Sequence, residues 1–263
     1  DAGAGIAFTL ATTGALSLDG ALTAPRVTLV ADAITGGAAG RVTTGLLRAN
    51  ARTGDVLLTG AGNAVDALGD GGAARDFSVR TSGALAVTGA LDAGRGLMLD
   101  AASLRLAAPV VAGAISLTAR TGGITQDAGR LAAARLAAEA AGEVRLEAAN
   151  NAFAAVTGRA GTAFRVATAG SLRADGVAAP EIALAADGSI TQGAGANAIT
   201  RLLGAEAGGD LRLVAGTALA VEGALTAGGT LAVTAGGYLT QLATGAGLRA
   251  ATLQARSING RVA

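Results

Sequence analysis

Short apolar–polar–apolar runs return along this chain at a spacing of about 20 residues, and that period limits the fold more than any other feature. Examples are Leu16-Ser-Leu18, Val27-Thr-Leu29, Phe77-Ser-Val79, Leu85-Ala-Val87, Leu97-Met-Leu99, Leu104-Arg-Leu106, Ile115-Ser-Leu117, Ile182-Ala-Leu184, Leu211-Arg-Leu213 and Leu231-Ala-Val233. Alternation over three to five residues between Gly or Asp is the pattern of a half-buried strand, not of a helical face. Runs starting at 77, 85, 97, 104 and 115 step by 8, 12, 7 and 11, so alternate runs lie 18 to 20 apart. Runs at 211, 219 and 231 step by 8 and 12. A strand pattern with this period predicts coils that stack on one another.

A longer repeat lies over the coil period. Ile124-Thr-Gln126, Ile190-Thr-Gln192 and Leu239-Thr-Gln241 open similar stretches, and a weaker copy starts at Ile34-Thr35. Asn63-Ala-Val65 matches Asn151-Ala-Phe153, and Phe77 matches Phe164. The copies start near 34, 124, 190 and 239, at separations of 90, 66 and 49 residues. Those separations differ by 24 and 17, each close to one coil. A stack in which each coil touches only its neighbours absorbs insertions of that size. The expectation is an all-β fold: a single-domain parallel β-helix over 1–263 with about 20 residues per coil, hence roughly 13 coils.

Composition agrees with a narrow stacked interior. Of 263 residues, 70 are Ala and 42 are Gly, aromatics are 2%, and 51% are apolar. Disordered chains are polar and charged, whereas charged residues here are only 15%. No apolar stretch approaches the length of a membrane-spanning helix, and there is no amino-terminal signal-peptide pattern. The segment Gly129–Ala141 has high helix propensity. Its repeat partner 196–207 has less, so the expectation is strand and turn, with tertiary context overriding propensity. The chain starts and stops inside the repeat, which suggests a fragment of a longer rod or copies stacked end to end.

There is no His and no Cys, and all 20 basic residues are Arg. This removes the disulfide framework, the usual zinc and haem sites, and Ser-His-Asp or Cys-His catalysis. A net charge of +1 gives no footprint for nucleic acid or an anionic membrane. Three groups of residues nevertheless carry candidate chemistry. Asp66, Asp70 and Asp76, around a Gly-rich loop, would suit Ca²⁺ if they converged, but a solvated turn is the expected role. Glu139, Glu143 and Glu147 are expected on an outward face, paired with Arg135 and Arg145. The Thr-Gln pairs at 125–126, 191–192 and 240–241 offer hydroxyls and amides to a carbohydrate, but are expected to end strands and satisfy turn amides. Gly60-Ala-Gly62, Gly193-Ala-Gly195 and Gly245-Ala-Gly247 lack the Lys and the strand-to-helix context of a phosphate cradle.

Gly-Ala-Ile-Ser-Leu-Thr-Ala (113–119), Gly-Gly-Ile-Thr-Gln (122–126), Gly-Ser-Ile-Thr-Gln (188–192), Gly-Gly-Asp-Leu-Arg-Leu (208–213) and Gly-Thr-Leu-Ala-Val-Thr-Ala-Gly-Gly (229–237) recur across essentially the whole chain. In these motifs it resembles the repeat region of filamentous haemagglutinin-like exoproteins, the secreted partners of bacterial two-partner secretion. That resemblance implies a right-handed β-helix, export of the full-length protein through an outer-membrane transporter, and adhesive or structural roles at the cell surface. The Asn-Pro-rich signature of a secretion domain is absent from this sequence, so the likeness is to the shaft. The expectation is an extracellular, non-catalytic shaft segment with no catalytic, cofactor-binding or metal residues and no cofactor. Its expected partners are neighbouring β-helix segments or copies of itself end to end, and host or surface glycans, with no nucleic acid and no membrane insertion. The alternatives are a polysaccharide-active or carbohydrate-binding solenoid and an end-to-end self-assembling filament subunit.

Overall fold

In the computed structural model, residues 2–3, 5–37, 39–192, 198–241 and 247–262 are described. Among them there is no helix: the regular structure is β-strand throughout, from Ala2–Gly3 to Thr252–Ser257. The chain forms two compact units, Asp1–Ala133 (unit 1) and Ala134–Ala263 (unit 2). Each is a parallel β-solenoid.

The sequence runs become strands because alternation points every second side chain inward. Arg26–Ala31 buries Val27, Leu29 and Ala31 while Arg26, Thr28 and Val30 face outward or lie half-buried. In Leu91–Ala101, five buried positions (Leu91, Ala93, Leu97, Leu99 and Ala101) close off the interior on either side of an outward kink. The kink is a register shift between Ala93 and Gly96, and it lets one strand turn a corner of the coil without breaking.

Stacking follows the sequence period. In unit 1, Phe8 pairs with Val27, Val27 with Leu47, Phe77 with Leu97 and Leu97 with Ile115, all parallel. Those steps are 19, 20, 20 and 18 residues. In unit 2, Val144 pairs with Phe164, Phe164 with Ile182, Ile182 with Leu202, and Leu211 with Leu231. Those steps are 20, 18, 20 and 20 residues. Like residues therefore sit over like residues at the parallel-strand separation of about 4.8 Å. Backbone amides and carbonyls are satisfied from coil to coil, which explains how a chain this rich in Gly keeps an ordered backbone.

Leu, Val, Ile and Ala fill the interior, with Phe77 and Phe164 its largest fully buried side chains. Each Phe stacks between smaller neighbours: Val56 and Leu97 around Phe77, Val144 and Ile182 around Phe164. The segment of high helix propensity is the strand Leu131–Ala140, in which Leu136 and Ala138 are buried. The six Ala of this strand would favour an isolated helix by about 2 kcal/mol in all, which burial of both Leu131 and Leu136 in the coil outweighs at about 4 kcal/mol.

Gly129 shows why the turns need glycine. Its φ of +78° is a conformation that side chains avoid, and a Cβ there would fall against the Ala108 carbonyl carbon and oxygen. The chain passes too close to the coil below for any other residue.

Candidate functional site

The candidate carboxylates do not converge. Asp66 and Asp70 are exposed and Asp76 is half-buried, and among the described residues no group of three His, Cys, Asp or Glu is placed to hold a metal. Two of the three serve the backbone of the next coil. Asp70 Oδ1 accepts the Ala90 amide at 2.9 Å and Asp76 Oδ1 accepts the Gly96 amide at 3.0 Å. Asp55 Oδ1 does the same for the Asp76 amide at 3.0 Å, so Asp55, Asp76 and Gly96 form a rung-to-rung chain. Unit 2 has its own version: Ser171 Oγ takes the Ser189 amide, Ser189 Oγ the Asp210 amide, and Asp210 Oδ1 the Thr230 amide, at 3.2, 3.0 and 2.7 Å. Short polar side chains at the turns thus hold each coil to the next.

The glutamates lie on an outward face, with Glu139 and Glu147 exposed and Glu143 half-buried. Their expected partners need correction, because Glu143 pairs with Arg165 at 3.3 Å rather than with Arg135 or Arg145. Val144, Arg145 and Leu146 stack on Phe164, Arg165 and Val166, which brings Arg165 within one strand spacing of the Glu143 strand. Within a strand, same-face neighbours are about 6.8 Å apart, against about 4.8 Å between coils, so the cross-coil partner wins.

That pair begins a ladder. Arg165 also meets Glu181 at 3.8 Å, Arg201 meets Glu181 at 3.4 Å, and Arg201 meets Glu222 at 2.6 Å. Five charges of alternating sign, Glu143, Arg165, Glu181, Arg201 and Glu222, climb unit 2 at steps of 22, 16, 20 and 21 residues. The Arg201–Glu222 contact is bidentate, with Nε to Oε1 at 2.8 Å. Its hydrogen bond holds the Glu222 carboxyl below the ordinary glutamate value and raises Arg201. Unit 1 has a shorter ladder in which Asp100 lies between Arg80, at 3.3 Å, and Arg120. These charges lie toward solvent, where screening leaves such pairs little net stabilisation. Their spacing was present in the sequence but is visible only once the coil register is known.

Buried polar residues form a second repeated device. Asn63, 2% exposed, accepts the Val42 amide through Oδ1 at 2.9 Å and donates through Nδ2 to the carbonyls of Leu58 and Arg80, at 2.9 and 3.2 Å. Thr81, fully buried, accepts the Val65 amide at 2.9 Å, and its hydroxyl lies 3.3 Å from the Asn63 carbonyl oxygen. Asn151 and Thr168 repeat this in unit 2: Asn151 Nδ2 donates to Leu146, and Thr168 accepts the Phe153 amide, at 3.2 Å each. The Asn63/Asn151 match in the sequence thus marks a clip across a coil corner. Thr81 and Thr168, its second members, carry no sequence signal of their own.

Each Thr-Gln pair ends a strand: Ile124–Gln126, Ile190–Gln192 and Leu239–Gln241. Gln192 Oε1 accepts the Val214 amide at 2.6 Å, whereas Gln126 Nε2 donates to the Gly129 carbonyl at 3.2 Å. The pairs do not stack on one another, since Thr125, Thr191 and Thr240 register with Arg105, Arg173 and Ala220. Residues 193–195 lie outside the described residues, as do 245 and 246. Gly60 and Gly62 flank a turn of unit 1 beside Asn63 and Arg41.

Two shallow grooves lie on unit 1. One, of about 330 Å³, runs past Thr23, Thr43 and Asp66, and the other, of about 520 Å³, past Asp66, Ser103, Arg105 and Thr125. They share Asp66, and small residues such as Ala64, Ala86 and Gly123 make their floor. Arg105 is paired with Asp127. No His, Cys or aromatic residue lines either groove.

Residues 93–160 match a family model described as "Repeats of unknown function (DUF5649)". No curated protein and no solved structure matches the chain. No helix among the described residues is long and apolar enough to cross a membrane. The matched stretch contains the kinked strands Leu91–Ala101 (in part) and Val110–Ala119, and the Thr-Gln turn at 125–126.

Proposed function

We propose that this chain is a non-catalytic shaft segment of a secreted bacterial surface protein or extracellular fibre, of the filamentous haemagglutinin-like kind. The observation that carries this reading is where the polar side chains are used. Turn Asp and Ser residues, the Asn–Thr clips and the Arg–carboxylate ladders all bind one coil to the next. A chain whose polar groups hold its own coils is suited to length and stiffness more than to turnover. The motif resemblance adds export of the full-length protein through an outer-membrane transporter and a place at the cell surface.

The test has two arms. Antibodies raised against the chain should label intact, unpermeabilised cells that carry the protein, and incubation with soluble polysaccharides should release no new reducing ends. Label only after permeabilisation, or measurable cleavage, would overturn the reading.

Carbohydrate binding without cleavage is the second reading, and the two grooves around Asp66 favour it. Their hydroxyls and the Asp66 carboxylate suit a hydroxyl-rich chain lying across successive coils. Without an aromatic platform the affinity would be weak, about millimolar. A glycan array on which Asp66→Ala and Thr43→Ala change nothing would sink it.

A further inference from the structure

Ser78 of unit 1 carries a buried hydroxyl with no hydrogen-bond partner among the described residues, and the residue is 5% exposed. It lies in the strand Phe77–Arg80, where Phe77 and Val79 point into the core, so alternation turns Ser78 to the outer face. Its neighbours there account for both facts. Leu57 on the preceding coil and Met98 on the following one are its register partners, about 4.8 Å away, and both side chains are longer than its own. Between them the hydroxyl is shut from water and meets no good acceptor, because a hydrocarbon accepts nothing and a thioether sulfur accepts only weakly. Asp76 and Arg80 flank Ser78 along the chain, but Asp76 is engaged with the Gly96 amide and Arg95, and Arg80 with Asp100. A dry, unpaired hydroxyl is a standing cost to the fold.

Met98 is an independent observation at the same place. It is the only Met in a chain without Cys, and it is 44% exposed. Its thioether is therefore the sole sulfur of the chain and is open to oxidants in solution. Oxidation of a methionine usually disrupts a fold because it puts a polar oxygen into packed apolar surroundings. Here the core columns at this level are Phe77–Leu97–Ile115 and Val79–Leu99–Leu117, and Met98 stands outside them between Ser78 and Ser116. An oxygen added to its sulfur meets serine positions on both neighbouring coils, one of them the hydroxyl that lacks an acceptor.

We propose that Met98 is a reversible peroxide-oxidation site whose sulfoxide oxygen accepts the hydrogen bond that the Ser78 hydroxyl cannot otherwise donate. In the step, a lone pair of the Met98 sulfur takes one oxygen of hydrogen peroxide. The S–O bond forms as the O–O bond breaks. Sulfur is oxidised by two electrons, the peroxide is reduced, and its second oxygen leaves with both protons as water. The unbranched methionine side chain has the torsional freedom to turn the new oxygen toward the neighbouring coil. Oxidation then tightens this pair of coils instead of loosening it. The site goes beyond the shaft reading and rests on the coil register of unit 1, so either fails without the other.

Dilute hydrogen peroxide on the folded 263-residue chain tests it, with intact mass, peptide mapping and amide hydrogen exchange as readouts. The mass should rise by one oxygen, mapped to Met98. Exchange of the Phe77–Arg80 amides should then slow about fivefold, the net worth of one hydrogen bond. Methionine sulfoxide reductases should restore both the mass and the faster exchange. Ser78→Ala removes a hydroxyl that bonds to nothing, so the reduced variant should fold with these amides at least as protected as in the parent. Its oxidation should add the same oxygen without slowing exchange. A folded chain that takes up no oxygen, parent exchange that is unchanged or faster on oxidation, slowing of equal size in Ser78→Ala, or slowing that outlasts the reductases would overturn the proposal.

Discussion

Asn63→Ala removes a side chain that joins three stretches of unit 1 at once. The lost bonds are those to the Val42 amide, the Leu58 carbonyl and the Arg80 carbonyl, at 2.9, 2.9 and 3.2 Å. At about 1 kcal/mol net for each bond the cost is about 3 kcal/mol. It rises toward about 5 kcal/mol if all three backbone groups stay dry, and falls to about 2 kcal/mol if one water replaces part of the amide. Asn63 is 2% exposed, so the dry case carries the greater weight. Stacked repeats unfold by neighbouring coils, not as a single block, so a bulk melt alone would dilute the effect. Amide hydrogen exchange at Val42 reads the site directly, and 3 kcal/mol of lost local stability corresponds to exchange faster by about a hundredfold. Urea denaturation of the same variant should show a lower midpoint. A shift below about 0.5 kcal/mol with Val42 protection intact would refute the idea that this clip holds the corner.

Leu99, fully buried, should cost about 2–5 kcal/mol when changed to Ala, whereas Met98 beside it, 44% exposed, should cost about 0.5 kcal/mol or less, as read by urea midpoints. Gly176→Ala, at φ +73° with its nearest neighbour atom 3.9 Å from the added Cβ, should cost about 1 kcal/mol, and Gly129→Ala, at φ +78° against the Ala108 carbonyl, about 3 kcal/mol or more in thermal melts. The Glu222 carboxyl is held below its ordinary value by Arg201, so its stabilisation is present above the glutamate range, near pH 4.3, and is lost as pH falls through the lower folded-state value. The stability difference between the parent and Glu222→Gln should therefore be flat from about pH 6 to 8 and shrink below about pH 4.3, and a difference that grows in acid would contradict the assignment.

The coil period was legible because burial writes itself into a chain residue by residue. Leu97-Met-Leu99 and Ile115-Ser-Leu117 alternate for the same reason that their Cα atoms pair. The repeated Asn63 and Asn151 were also visible, since a buried amide at a corner tolerates few substitutes. Strand state at Leu131–Ala140 could be inferred only from its repeat partner, because Ala is compatible with either state and the deciding energy is tertiary. Which charges meet was less legible. Glu143 lies closer in sequence to Arg145 than to Arg165, yet the contact crosses coils, and a step that varies from 16 to 22 residues hides the ladder until the register is fixed. The grooves around Asp66 had no sequence signal, since their shape comes from small residues on three successive coils, a property of stacking and not of any motif.

The stacking register itself is open to one direct measurement, helped by the absence of native cysteine. Met98 and Ser116 are register partners on adjacent coils with both side chains directed outward, as are Arg212 and Ala232 in unit 2. Parallel partners about 4.8 Å apart fall within the Cα separation that a disulfide accepts. Under mild oxidation, Met98→Cys with Ser116→Cys and Arg212→Cys with Ala232→Cys should each cross-link nearly completely in the folded monomer. Moving the second cysteine by one residue, to Leu117 or Val233, turns it to the other face and should abolish the bond. Efficient cross-linking at the shifted positions, or none at the registered ones, would contradict the coil register from which the whole account is built.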